Sequence, residues 1–363
     1  MAGQKSRYGF SYSEYRGRGT GRSVLIFIVV LLAVLLIAGL AFMFFMGDYI
    51  YYTPDGMEIH WPWMEQEPSA PPVFSDPVVM ETNDPVITVE PTTEPTLPPE
   101  PVYEPLAAVT VTTAQLLDGT ATQAVANAGG NALVVEMKAD TGKLAWQSQT
   151  ELAASLEANA ADNSVADAIR ALAQDGNLCL IARVHCFKDP RLVDAGIGAL
   201  MSQRGRVWYD NHGDRWSSPA NQQAADYLSA LCLELADMGF DEILLDDAGY
   251  PCLGDVSALA TDDNRPGNRT VPVTSFLQRL AGELKEKDVR LSVYAYEKLT
   301  LGDDIYSGLT ASVLAQSAGR IWLDSQVSRE HYEGILSAAG LENLTARVVA
   351  PAANAAEGGS WYR

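Results

Sequence analysis

Two adjacent carboxylates, Asp246 and Asp247, end the short apolar run Ile243-Leu244-Leu245, and Gly249 and Pro251 follow them. An unbroken apolar run of this length reads as a strand covered on both faces. Acids at the C-terminal tip of a parallel strand stand where α/β barrels assemble active sites. The plainer alternative is a helix cap or loop ion pair, because Asp is frequent in strand-to-helix turns. Further candidates end other strand-like runs: Glu136, Lys138 and Asp140, then Arg183, His185, Lys188 and Asp189, then Tyr294 and Glu297, and finally Asp324. Several acids beside aromatic side chains form the inventory of a glycosidase, which needs one ionised carboxylate and one held protonated. Trp208, Trp216 and Tyr250 supply flat faces on which sugar rings could stack. For each residue the structural alternative is ordinary: Glu136 and Lys138 share strand parity and could pair with each other, and tryptophans often only pack.

The elements that must position these groups alternate from Leu106 onward. Strands are expected over 106–112, 131–138, 178–184, 243–245, 289–296, 320–324 and 346–350. Helices are expected over 114–128, 164–174, 220–238, 271–287, 305–317 and 329–339, and a long loop over 187–219. Regular strand–helix alternation over about 255 residues matches the size of a (β/α)₈ TIM barrel. A doubly wound sheet is the fallback, but no GxGxxG follows an early strand. After the seventh strand little chain is left, so the last unit is expected to be missing or degenerate.

The N-terminal third has another character. Residues 1–22 form a basic tail with Lys5, Arg7, Arg16, Arg18 and Arg22 against one acid, Glu14. Ser23 to Met46 is an uncharged apolar run of 24 residues, long enough at about 1.5 Å per residue to cross a bilayer. The excess of positive charge before it predicts a single-pass anchor with a cytoplasmic N-terminus and everything else outside the cell. A cleaved signal peptide is the competing reading, but its apolar core would run only about 7–15 residues into a small-x-small site. Residues 47–105 are rich in Pro, Glu and Thr and carry no Lys or Arg. Such a segment buries too little apolar area to offset its conformational entropy, and predicts a disordered extracellular linker. That leaves 106–363 as the globular domain.

The net charge of −21 over 363 residues excludes a general nucleic-acid binder, which needs basic surface. The four cysteines, Cys179, Cys186, Cys232 and Cys252, contain no CxxC, and the four histidines form no HExxH, so neither a metal site nor a cofactor is expected. A Cys186–Cys252 bridge is conceivable across neighbouring strand ends; buried thiols are the favoured reading.

A resemblance sharpens this picture. The runs Asn131 to Gly142, Ile181-Ala182-Arg183-Val184, Phe187-Lys188-Asp189-Pro190, Trp216-Ser217-Ser218-Pro219 and Gly239 to Pro251 resemble, in order and spacing, a bacterial glycoside hydrolase family. The resemblance covers about 106–251 well and the remainder weakly. It implies an α-amylase-like TIM barrel acting on a polysaccharide, often exported or membrane-anchored. It also implies that Asp246 is the central acid, with Glu136, Lys138 and Asp140 after strand two. Departures accompany it. The family's Arg three residues after the strand-four Asp is Gly249 here, its strand-five acid is Tyr294, and its Pro-Met-Tyr-Pro-rich end of strand six is Leu323-Asp324-Ser325-Gln326. An Arg near Asp246 would hold that carboxylate ionised, whereas Asp247 adds a second negative charge. Asp246 is therefore the expected nucleophile or base and Glu297 the expected acid. Glu136, Lys138, Asp140, Arg183, Lys188, Asp189, Trp208, Trp216, Asp247, Tyr250, Tyr294 and Asp324 are the expected substrate contacts. The expected partner is a cell-envelope or extracellular polysaccharide, either cleaved or, in the alternative readings, only bound or replaced by protein partners of a surface scaffold.

Overall fold

The structure is a computed structural model that describes residues 50–53, 56–59, 103–260, 269–295, 307–325 and 328–363. The basic tail, the apolar run 23–46 and Glu297 lie outside the described residues. Among those described, no helix is long and apolar enough to cross a membrane. The chain divides into two units, Met1–Pro95 and Thr96–Arg363. In the first, Ile50–Thr53 and Gly56–Ile59 pair as an antiparallel hairpin. The linker reading had no strand there, although β-branched and aromatic residues flanking Pro54-Asp55-Gly56 are a turn-and-strand signal.

The second unit is a closed barrel of eight parallel strands in sequence order. They are β1 (Ala107–Val111), β2 (Ala132–Lys138), β3 (Cys179–His185), β4 (Glu242–Asp246), β5 (Arg290–Ala295), β6 (Arg320–Leu323), β7 (Val348–Pro351) and β8 (Trp361–Tyr362). The last unit is indeed degenerate. β8 has two residues, yet it closes the ring by pairing with β7 on one side and β1 on the other. Only a 3₁₀ turn, Ala352–Asn354, stands where the helix between β7 and β8 would be.

Local sequence explains the departures from the expected elements. The single helix expected over 114–128 is two, Thr113–Leu117 and Ala121–Asn127. Between them Asp118 Oδ1 accepts from the Thr120 amide and hydroxyl, and Gly119 takes φ +76°, so a turn outcompetes continuous helix. The long loop contains a short helix, Pro190–Asp194, started by Asp189 accepting from the Arg191 and Leu192 amides. The helix before β4, Gln222–Met238, is capped by Asn221 and stops at Gly239, whose φ of +108° suits glycine.

Strand alternation sorts side chains between the two faces of the wall. Leu133, Val135, Leu180, Ile243, Leu245 and Val293 face outward and pack with the helices. Inside, Leu106, Ala108, Ala132, Val134, Ile181, Leu244, Trp322 and Val349 form an apolar middle layer. The same parity that points Leu244 inward points Glu242 into the floor of the barrel and Asp246 into its mouth. One strand thus delivers a carboxylate to each end.

Candidate active site

The mouth is built from the C-terminal ends of β2 to β6 and β8. Register places Glu136 of β2 opposite Arg183 of β3, and His185 opposite Asp246 of β4. Arg183 donates from Nε to Asp246 Oδ2 at 3.0 Å, and its Nη2 bonds the same oxygen. The guanidinium lies over the Tyr294 ring, 5.3 Å from the centroid. Asp246 is fully buried, and Arg183, about a third exposed, covers it. A charge-assisted pair of this kind favours the ionised carboxylate.

The chain bends sharply after β4. Asp247 takes φ +50°, its amide donates to Asp246 Oδ1 at 2.8 Å, and its own Oδ2 lies 2.7 Å from His185 Nδ1. Burial and the neighbouring Asp246 charge push the Asp247 carboxyl up from the usual range, against the pull of His185. Burial disfavours the charged form of His185, but its bond to Asp247 and the charges of both aspartates outweigh burial and raise its pKa. His185 and Asp247 together therefore retain a proton more firmly than either would in water.

His185 Nε2 sits 3.8 Å from Asp246 Oδ2 and 3.9 Å from Glu136 Oε2. The two carboxylates are thus at most about 7.7 Å apart, the sum of those distances. Glu136 is half exposed, so it is the acid at this cluster that an incoming molecule meets first. Upper walls come from Tyr294 and Tyr362, whose hydroxyls lie 3.0 Å apart, with Tyr362 donating to the Leu323 carbonyl at 2.8 Å. Burial and the bond to Tyr362 raise the Tyr294 pKa, so it remains a neutral phenol. Asp324 follows β6 and raises the pKa of both tyrosines.

Other expected contacts have different tasks. Glu136 and Lys138 do not pair, because the β2 register shifts between them. Lys138 is instead fully buried, 2.8 Å from Asp189 Oδ2 and donating to the His185 carbonyl at 2.7 Å. Lys138 and Asp189 thus brace the β3 end. Lys188 bridges Asp140 at 3.1 Å and Asp214 at 2.7 Å on the rim; burial opposes its charge, but those two carboxylates raise its pKa. Trp208 and Trp216 are buried, with their indole N–H groups bonded to the Asp255 carbonyl and to Asp210 Oδ2. Tyr250 is buried against Arg269. These three rings hold the 187–219 loop and its neighbours together; the stacking role is corrected, because no ring face is open. None of the four cysteines forms a disulfide, so no Cys186–Cys252 bridge exists.

Gly249 also has a structural reason. A Cβ there would collide with the Ser307 carbonyl, which accepts from the Tyr250 amide at 2.8 Å. The cation beside Asp246 comes from β3, as Arg183. His185, present among the strand-end residues but not among the expected contacts, is the group sequence reasoning underweighted; its i+2 spacing from Arg183 was the available signal.

His185, Asp246 and Asp247 bring ligand atoms within 4.8 Å of one another, the one such group among the described residues. Arg183 already neutralises Asp246, so a cation bound there would have to compete with its guanidinium. The donor set suits proton handling better than metal binding.

No curated protein matches the chain. A hypothetical protein from Ruminiclostridium thermocellum is 25% identical, with 51% of this chain and 96% of that one covered and a TM-score of 0.43. A chitinase from Chromobacterium violaceum is 15% identical, with 67% of each chain covered and a TM-score of 0.38. An exo-β-N-acetylglucosaminidase from Vibrio harveyi is 12% identical, with 69% of this chain and 41% of that chain covered and a TM-score of 0.42. Residues 106–317, more than half of the chain and including Glu136, Arg183, His185, Asp246 and Asp247, match the family described as "Putative glycosyl hydrolase domain", and the chain belongs to that family.

Proposed function

We propose that the barrel cleaves glycosidic bonds in a cell-envelope or extracellular polysaccharide, with Asp246 as the ionised carboxylate and Glu136 as the acid that reaches the leaving oxygen. The observation that carries this reading is the cluster at the mouth, where Arg183 neutralises Asp246 and Glu136 stands half exposed within about 7.7 Å of it. That limit admits both the retaining spacing of about 5–5.5 Å and the lower part of the inverting range of about 6.5–9.5 Å. His185, flanked by three carboxylates, would when protonated keep Glu136 and Asp246 from repelling each other as the proton moves. Arg183 must swing off Asp246 for a sugar carbon to touch it. The apolar run 23–46 and the basic tail before it support an anchored protein with its barrel outside the cell.

One observation favours a second reading. Asp246 has no exposed surface beneath Arg183, as expected of a barrel that binds glycan without cleaving it. A panel of polysaccharides assayed for new reducing ends separates the two. Activity in the wild type should fall about 10²–10⁴-fold in Asp246→Asn and in Glu136→Gln, the usual contribution of acid–base groups. Equal activity in Asp246→Asn removes its proposed role, and binding without reducing ends in the wild type establishes the second reading. For the anchor, protease added to intact cells should digest the barrel; protection would place it inside.

A further inference from the structure

Among the described residues four large apolar side chains are exposed, and two of them, Tyr209 and Leu253, stand on loops that touch. Tyr209 lies in the loop after β3 and Leu253 in the loop after β4, both on the side of the barrel where Asp246 opens. A Cβ on Gly254 would come within 3.0 Å of the Asn211 nitrogen and 3.1 Å of the Asp210 Cα. The backbone on either side of Tyr209 is pinned. The Trp208 amide donates to the Leu200 carbonyl at 2.8 Å, and its indole N–H to the Asp255 carbonyl at 2.9 Å. Asp210 accepts from the His212 and Asp214 amides and from the Trp216 indole, at 2.8, 2.9 and 3.0 Å. Asp214 in turn holds Lys188, which comes just after β3 and also bridges Asp140 beyond β2. The two buried tryptophans thus fix a turn whose own ring, Tyr209, is 53% exposed.

We propose that Tyr209, with Leu253 on the abutting loop, is a stacking platform for a sugar ring of the polysaccharide, outside the Glu136–Asp246 cluster and on the same rim. This rests on the reading of the mouth as a glycan site, whether the glycan is cleaved or only held. The face of an aromatic ring carries negative charge density and attracts the C–H groups that line one face of a pyranose. A ring already exposed on a pinned turn binds with little ordering cost. The size of the patch selects the occupant. A stable protein interface takes about 800 Å² on each side around an apolar centre. Here two apolar side chains stand beside the exposed polar residues Asn211 and His212. An apolar face edged by hydrogen-bonding groups is the pattern of a sugar ring.

The test is co-sedimentation of the full chain, in mild detergent, with peptidoglycan sacculi, chitin and cellulose. It is run in the Asp246→Asn background so that the glycan is not consumed. Saturable binding to at least one of the three is expected. Tyr209→Ala should weaken it about threefold to tenfold, the range of one aromatic contact. Tyr209→Phe should stay within about twofold of the parent, because the ring face and not the hydroxyl is used. No saturable binding to any of the three would overturn the proposal, as would binding that Tyr209→Ala leaves unchanged. An equal loss in Tyr209→Phe would assign the contact to a hydrogen bond and overturn it too. Release of reducing ends is measured separately, with Asp246 intact. Cleavage that Tyr209→Ala leaves untouched, in KM as in kcat, removes the platform and keeps the catalytic reading; Tyr209-dependent binding without cleavage does the reverse.

Discussion

The barrel carries an arginine–carboxylate pair at each end, and the two are built differently. In the floor, Glu242 bonds Arg320, accepts from Ser292 Oγ at 2.6 Å and has the Trp322 Nε1 at 3.4 Å. Arg320 spends its remaining donors on the Ala346 and Glu104 carbonyls. Tyr103 is ringed by Arg290, Arg320 and Arg347, within 4.8 to 5.9 Å of its centroid. Every charge there has one fixed arrangement. In the mouth, Asp246 has Arg183, but Arg183 reaches solvent, Asp247 brings a second acid, and His185 stands between them. The floor closes the barrel; the mouth keeps spare protons and spare partners. Since β4 supplies the acid at both ends, the contrast lies in the surroundings and not in the strand.

The largest expected consequence is in stability. Arg320→Met leaves Glu242 buried without its cation and should cost about 3–5 kcal/mol, the usual penalty for breaking a buried pair. Arg183→Met should cost only about 1–2 kcal/mol, because His185 and the Asp247 amide remain to support Asp246 and the lost guanidinium was partly solvated. Urea unfolding of both variants measures the difference, and equal losses would erase the distinction between the ends.

A smaller effect of opposite sign should appear at Asp247. Its φ of +50° is tolerated better by Asn than by most side chains, and its charge lies against that of Asp246. Asp247→Asn keeps an acceptor for His185 while removing the like charge, so it should add about 1 kcal/mol of stability, a gain typical of relieved functional sites. The floor has no such position: Glu242→Gln should destabilise. A loss of stability in Asp247→Asn would show that its charge is needed to hold His185, and that the mouth is as settled as the floor.

How much of this could be read from sequence follows from what periodicity records. Strand–helix alternation gave the barrel and the place of Asp246, because an apolar run ending in acids leaves a local trace. β8 left none: Trp361 and Tyr362 are too few to show a period, and only the gap between β7 and β1 assigns them to the wall. Aromatic residues were legible as rings but not as buried or open, so Trp208, Trp216 and Tyr250 looked like sugar platforms when the two indole N–H groups, the Tyr250 hydroxyl and its face are taken internally. The bulge in β2 separates Glu136 from Lys138, and a one-residue register shift has no signature in residue type. The pairing of Arg183 with Asp246 is a contact between strands, visible only once β3 and β4 are aligned.

The least effect, and the one most specific to the mouth, is in the pH dependence of stability. His185 has a raised pKa in the fold, so its stabilising contribution is complete below the ordinary histidine value of 6.5 and is lost as pH climbs through the raised one. Asp247, also raised, has the same sign, but its contribution is full only below the ordinary aspartate value of 3.8 and is lost from there upward as pH climbs through the raised one, so the window above 6.5 is argued from His185. Stability should therefore fall as pH rises above 6.5, contrary to the behaviour of carboxylates held ionised by cations. Unfolding midpoints measured in urea across that range, for the wild type and His185→Asn, isolate the source. The variant should lose the downward slope above pH 6.5 while Arg320→Met, though far less stable, should keep it. If His185→Asn retains the slope, the proton that matters is not on His185, and the pH dependence would have to be sought at Asp247 and the other titratable groups.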